Sequence, residues 1–193
     1  MHAIRDPPDY RASLHQAAAA QVEGLARQRS PEEALDFGKQ FIRRVEPAAM
    51  VLYEMGLLQY QLGESNAALK YYDQAIALDP NLATARYDRA EIRLAQGDLN
   101  GAREDLQRAA DVRSDHWVIH FRLAEIAGHE RDAAAMDRHL FQALRHGFDF
   151  RTIVEDPTWR TWSRDPLLGP IIARFIIVYS DEQILQKLRE ETP

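Results

Sequence analysis

The amino-acid sequence predicts an all-α fold, a solenoid of antiparallel helix hairpins with helical N- and C-terminal caps. The first observation behind this prediction is the alanine content. Of the 193 residues, 28 are alanine, and all but Ala173 lie at or before Ala143. Alanine loses no side-chain entropy in a helix, so the chain favours helices up to that point. The second observation is an internal repeat with a period of 34 residues.

The repeat is visible as identical residues that recur after one period. The recurring pairs are Ala49 and Ala83, Tyr53 and Tyr87, Gly63 and Gly97, Asn66 and Asn100, Ala68 and Ala102, and Ala75 and Ala109. A further period aligns residues 90–92 with 124–126. These matches predict three two-helix units, at 49–82, 83–116 and 117–148. A single hairpin of this size cannot bury its apolar face, so the units must stack.

Small residues stand where this arrangement needs them. Gly56, Ala90 and Ala124 occupy one position of the first helix, where it must approach its partner closely. Gly63 and Gly97 lie between the two helices, where a residue without a Cβ can take a positive φ.

The N-terminal 48 residues predict one more helix hairpin, either a degenerate repeat or a cap. Residues 10–28 favour a helix with Leu14, Val22 and Leu25 as apolar positions. Ser30 is an expected N-cap followed by a proline, and it begins a helix that runs to about Val45.

Residues 149–193 have a different composition and predict a helical C-terminal cap over the open end of the stack. Aspartate–proline pairs at 156–157 and 165–166 indicate two short helices. A capping box at 180–183 predicts a last helix that contains Ile184, Leu185 and Leu188. The apolar run 175–179 has strand propensity, but without a partner strand a helix is the better interpretation.

The unit 49–82 resembles a tetratricopeptide repeat. The residues that match the signature of that family are Leu52, Met55, Gly56, Ala68, Tyr72, Ala75 and Pro80. The second unit keeps fewer signature residues, and in the third Met136 replaces a small one. The resemblance implies a right-handed superhelical solenoid that binds other proteins on its concave face.

In the resembled family, the second, fifth, ninth, twelfth and thirteenth residues of each repeat point to the concave face. We call these the binding-face positions. In this sequence they are Met50, Tyr53, Leu57, Tyr60 and Gln61; Thr84, Tyr87, Glu91, Leu94 and Ala95; and Val118, Phe121, Glu125, Gly128 and His129. The expected peptide-binding residues among them are Met50, Tyr53, Leu57, Tyr60, Tyr87, Glu91, Leu94, Phe121 and Glu125. The structural alternative is that these aromatic residues pack between helices and do not contact a ligand.

The sequence therefore predicts a non-enzymatic adaptor in which Tyr53, Tyr87 and Phe121 anchor apolar side chains of a peptide or helix. Glu91 and Glu125 favour a ligand that also contains basic residues. No nucleophile motif or phosphate-binding loop occurs, and we expect no catalytic residue and no cofactor.

Two alternatives remain open at this point. The apolar segment 171–179, with Ile184 and Leu188, is a candidate surface for self-assembly into a homo-oligomeric scaffold. A small three-repeat helical protein is also compatible with a bacterial secretion chaperone.

Charge, cysteine and histidine content narrow the remaining classes. The net charge of −6 disfavours nucleic acid as a partner, and the absence of cysteine excludes thiolate metal sites and disulfides. No segment has the length and hydropathy of a membrane span, so we expect a cytoplasmic protein. His116 and His120 supply two of the four ligands that zinc usually needs, so no metal site is expected. His139 and His146 are expected to line a solvated edge.

Overall fold

The computed structural model describes residues 8–149, 153 and 156–180, which form ten α-helices and no strand. In chain order the helices are α1 (Pro8–Gln28), α2 (Pro31–Arg44), α3 (Ala49–Gln61), α4 (Ser65–Leu78), α5 (Ala83–Ala95), α6 (Leu99–Val112), α7 (Trp117–Glu130), α8 (Ala133–Arg145), α9 (Pro157–Ser163) and α10 (Gly169–Ser180). The predicted all-α fold is confirmed, and the ambiguous run 175–179 is helical.

The chain divides into two compact units, Met1–Gln96 and Gly97–Pro193. Unit 1 contains α1 to α5, and unit 2 contains α6 to α10. Each unit has its own buried apolar cluster.

The first hairpin of unit 1 forms as its sequence signals predict. The Ser30 hydroxyl accepts a hydrogen bond from the backbone N–H of Glu33 at 3.1 Å, and Pro31 is the first helical residue. This cap satisfies one of the free N–H groups at the start of α2. The hairpin packs on α3 through a shared core that includes Val22, Ala34 and Met55.

The second hairpin of unit 1, α3 and α4, depends on two glycines. Gly56 faces the Tyr72 ring so closely that a Cβ at residue 56 would lie 2.6 Å from a ring carbon. Gly63 ends the turn between the helices with a φ of 82°, a conformation that other residues rarely adopt. Both glycines therefore serve the roles that the repeat pattern predicted.

In unit 2, aspartates cap three of the described helices, α6, α8 and α9. The Asp98 and Asp132 side chains accept from the N–H groups of Gly101 and Ala135, each at 2.9 Å, and so cap α6 and α8. The turn between α7 and α8 has Arg131, with a φ of 58°, at the point where the other two repeats have glycine.

The C-terminal helices belong to the core of unit 2. Asp156 caps α9 as predicted, since its carboxylate accepts from the N–H groups of Thr158 and Trp159. Asp165 differs from its prediction, because its carboxylate accepts from the N–H groups of Leu167 and Leu168 and closes a turn before α10 begins at Gly169.

Buried apolar side chains join this segment to α7 and α8. The ones contributed by residues 156–180 are Trp159, Leu168, Ile172 and Phe175. The predicted capping box at 180–183 and the helix with Ile184, Leu185 and Leu188 lie outside the described residues, apart from Ser180, which ends α10.

Candidate functional site

Unit 1 contains the binding-face positions of the first two repeats, on α3 and α5. Met50 and Tyr60 remain open, with 38% and 47% of their surface exposed. The other predicted peptide-binding residues of this unit are half-buried. They are Tyr53, Leu57, Tyr87, Glu91 and Leu94.

Tyr53 connects α3 and α5, the first helices of the first two repeats. Its ring lies 6.0 Å from the Tyr72 ring, and its hydroxyl donates a hydrogen bond to the Asp88 carboxylate on α5. Burial, followed by the charge of Asp88, raises the pKa of the Tyr53 hydroxyl far above its usual value. The Tyr53 ring therefore has one side in the core, and the hydroxyl is satisfied within the unit.

Carboxylates cluster around this tyrosine. Two of them, Glu54 and Asp88, were not among the predicted binding residues. Burial raises the pKa of Glu54 to about 7, with further contributions from the charges of Glu23 and Asp88. Burial also raises the pKa of Asp88, and the charge of Glu91 adds to that effect. Arg27 pairs with Glu23 at 2.6 Å and its charge opposes the rise in the pKa of Glu54, but the pKa remains raised, so a further cation is favoured there.

A shallow cleft lies beside this cluster, between α1 and α3. Its volume is about 100 Å³, and its lining includes Glu23, Glu54 and Leu57. Leu57 is the predicted peptide-binding residue there, so an apolar contact and two carboxylates share one small cleft.

The corresponding positions of the third repeat, in unit 2, are already covered. The Phe121 ring lies between the rings of Phe148 and Trp159, with centroid distances of 4.4 and 5.3 Å. Glu125 accepts from the Trp159 indole N–H at 3.5 Å and pairs with Arg122 at 2.7 Å. The role of Phe121 and Glu125 in ligand binding stays a prediction, and in this structure both contact the chain's own α9.

Two further binding-face positions contact α9 through its second tryptophan. A Cβ at Gly128 would lie 2.7 Å from the Trp162 ring, and the His129 ring meets the same indole edge-on at 5.0 Å. The short helix α9 therefore packs two tryptophans against the binding-face positions of α7. The sequence predicted a cap here but gave no signal that it would cover this face.

The histidines are arranged differently from the prediction. His116 is the exposed N-cap residue of α7, whereas His120 is buried and its Nε2 lies 3.0 Å from the Ser114 carbonyl oxygen. His139 and His146 were expected on a solvated edge. Both are instead half-buried and stack on His120, because the ridges of α7 and α8 bring the three rings together.

Neither a metal site nor a membrane span is apparent within the part of the chain that the structure describes. There, no group of three or more histidine, aspartate or glutamate side chains is placed to hold a metal ion. None of the described helices is both long and apolar enough to cross a bilayer.

Comparison with known families identifies the repeats. Two models described as tetratricopeptide repeat match residues 49–82 and 87–140. Together with the helix hairpins and the glycine positions above, these matches define a helical repeat protein. The chain contains tetratricopeptide repeats over these two segments.

Curated relatives match about half of the chain. Mouse tetratricopeptide repeat protein 36 is 44% identical over 102 residues, which are 49% of this chain and 53% of that protein. The probable biofilm formation methyltransferase WspC of Pseudomonas putida is 34% identical over 107 residues, 54% of this chain and 25% of that protein. The chain thus spans about half of the length of the mouse relative and a quarter of the length of the methyltransferase.

A solved structure extends the comparison to nearly the whole chain. The crystal structure of the MamA protein superposes with a TM-score of 0.69 over 92% of each chain, at 13% sequence identity. At this identity the likeness shows the fold, a tetratricopeptide-type solenoid, and nothing about ligands.

Proposed function

We propose that the chain is a non-enzymatic adaptor that binds a peptide or short helix of a partner protein on the binding-face positions of unit 1. The observation that supports this proposal is the contrast between two sets of equivalent positions. Those of α7 are covered by α9, whereas Met50 and Tyr60 on α3 remain exposed.

The helix α9 also indicates the chemistry of a suitable ligand. It presents Trp159 and Trp162 to the binding-face positions of α7, and it contains Arg160 between them. A partner segment with aromatic anchors and a basic residue matches the half-buried apolar side chains and the carboxylates of unit 1. Such a segment would bind as an amphipathic helix on a groove.

The self-assembly alternative has less support. Ile172 and Phe175, from the segment proposed for it, are buried in the core of their own unit, although Ile177 is 69% exposed. The secretion-chaperone alternative uses the same surface as the adaptor and is distinguished by which partner is captured.

Affinity capture with matched variants tests the proposal. The double variant Met50→Ala/Tyr60→Ala removes the exposed binding-face side chains of α3, and we expect it to lose the partner while keeping its helical circular dichroism. The control Leu78→Ala removes an apolar side chain that is 51% exposed on α4, outside the binding-face positions. Equal capture by the double variant and the wild type would contradict the proposal.

The pH dependence of binding gives a second test, made with the partner segment identified by affinity capture. A cationic ligand favours the charged form of Glu54, whose pKa is about 7, so binding releases a proton and strengthens as the pH rises through that value. Titration calorimetry should show this trend in the wild type and a weaker trend in Glu54→Gln. An affinity independent of pH in both proteins would place the ligand elsewhere.

A further inference from the structure

Three histidine rings form the floor of a cleft in unit 2. His120 on α7 stacks on His139 of α8 and on His146 just after it, with centroid distances of 5.9 and 6.1 Å. The cleft has a volume of about 600 Å³, and the other side chains that line it include Ser114, Arg138 and Arg145.

The rings have unused hydrogen-bonding capacity. His120 is only 8% exposed, and its Nε2 donates to the Ser114 carbonyl oxygen, because a carbonyl can only accept. Its Nδ1 and the Nδ1 of His139 are buried without a hydrogen-bond partner among the described residues. Buried polar atoms are seldom left unpaired, so this floor is suited to a polar ligand.

All the described ionisable side chains that line the cleft are basic ones, arginines and histidines. The described residues that line it include no carboxylate, and neither Arg138 nor Arg145 forms an ion pair in the part of the chain that the structure describes. The nearest acid that acts on His139 is Asp132, whose carboxylate is occupied in capping α8. The cleft is thus a basic site in a chain whose net charge is −6.

We propose that this cleft is an anion site that binds a phosphate group, either as the free ion or as a monoester. The guanidinium groups of Arg138 and Arg145 match phosphate oxygens, and the Ser114 hydroxyl supplies a further donor, whereas the buried Nδ1 of His120 can donate only when that ring is protonated. The cleft is larger than a phosphate group alone, which leaves room for the group attached to it. None of the described residues that line the cleft is a binding-face position, and the proposal does not depend on the adaptor function.

Anion binding should change the titration of the histidines. Burial and the charges of His120 and Arg138 hold the pKa of His139 at about 4, while the charge of Asp132 opposes them. The charge of His146 contributes to lowering the pKa of His120. A bound anion favours the protonated rings, so it should raise the pKa of His139.

Nuclear magnetic resonance of the histidine rings in the full chain tests the proposal with inorganic phosphate and O-phosphoserine as probes. We expect saturable shifts of the His120, His139 and His146 signals and a higher pKa of His139 in the saturated protein. Arg145→Gln should weaken binding at least several-fold, while Arg164→Gln, which removes an exposed arginine that does not line the cleft, should not.

Each outcome has one meaning. Tighter binding of O-phosphoserine indicates a phosphorylated side chain as the source of the phosphate, and tighter binding of inorganic phosphate indicates the free ion; either supports the site. The absence of saturable shifts with both probes overturns it. So does the same response to sodium chloride at equal ionic strength, or equal weakening by the two arginine variants when circular dichroism shows both to be folded.

Discussion

At the scale of single residues, Gly128 controls the approach of α9 to α7. A Cβ built at this position would lie 2.7 Å from carbons of the Trp162 ring. The indole is held on its other sides by His129 and Trp159, so it has little freedom to move away. A single methyl group therefore tests whether the packing of α9 is important to unit 2.

We predict that Gly128→Ala destabilises unit 2 by about 1–3 kcal/mol, the usual cost of overpacking a filled core. Urea unfolding followed by tryptophan fluorescence measures this free energy. Gly24→Ala is the matched control, since its Cβ would meet nothing within 4 Å in the middle of α1. The control should stabilise unit 1 by about 0.5–1 kcal/mol. Since the three tryptophans all lie in unit 2, circular dichroism follows the unfolding of the control. A neutral Gly128→Ala variant would mean that α9 moves freely.

His139 makes unit 2 sensitive to acid. Its pKa falls from 6.5 in a model compound to about 4 in the folded chain, chiefly because of burial. The unfolded chain therefore binds the proton first, and the stability from His139 is complete above 6.5 and lost as the pH falls towards 4. The melting temperature of His139→Gln should depend less on pH in this range than that of the wild type. His116→Gln, at an exposed N-cap, should behave as the wild type.

In unit 1, Glu54 has the opposite effect on the pH dependence of stability. Its pKa rises from 4.5 to about 7, mainly through burial, so the folded state holds the proton more tightly than the unfolded state. The stability from Glu54 is complete below 4.5 and is lost as the pH rises through 7. We expect Glu54→Gln to melt at a higher temperature than the wild type in mildly alkaline buffer and to match it in acid. A similar gain in Glu104→Gln, an exposed carboxylate on α6, would contradict this cause.

At the scale of elements, α9 and α10 form part of the core of unit 2. Trp159, Leu168, Ile172 and Phe175 share a buried cluster with Leu140 and Leu144 of α8. The indole of Trp159 is 1% exposed although α9 has only seven residues. Such a short helix is not stable by itself, so its tertiary contacts hold it in place.

A chain that ends at residue 149 should therefore lose more than its missing helices. We expect it to aggregate and to bind a hydrophobic dye, because the truncation exposes Phe121, Phe148 and the apolar face of α8. Light scattering and circular dichroism measure both effects. A monomeric truncated chain with intact α7 and α8 would show that the C-terminal segment serves assembly instead.

At the scale of the whole molecule, the chain consists of two units, each with its own core and its own titrating groups. Unit 1 is weakened by rising pH through Glu54, and unit 2 is weakened by falling pH through His139. The repeat pattern does not coincide with this division, since the hairpin of the second repeat has α5 in unit 1 and α6 in unit 2. Sequence periodicity reports helix lengths and spacing, whereas compact units depend on which faces are buried.

The sequence by itself determined the helices, their turns and the family. These features depend on local signals, such as the Ser30 and Asp156 caps, the glycine at residue 63 and the small residues repeated every 34 positions. Caps and turns depend on residues a few positions apart, and the repeat is a comparison of the sequence with itself, so both can be read from one chain.

Only the tertiary structure decided which predicted binding residues are exposed. Phe121 and Tyr60 stand at binding-face positions of their repeats, yet α9 covers the first and leaves the second 47% exposed. The tertiary structure also brings His120, His139 and His146 together, a cluster that their spacing in the sequence does not indicate. Burial depends on contacts between residues far apart in the chain, and the identity of a side chain does not specify them.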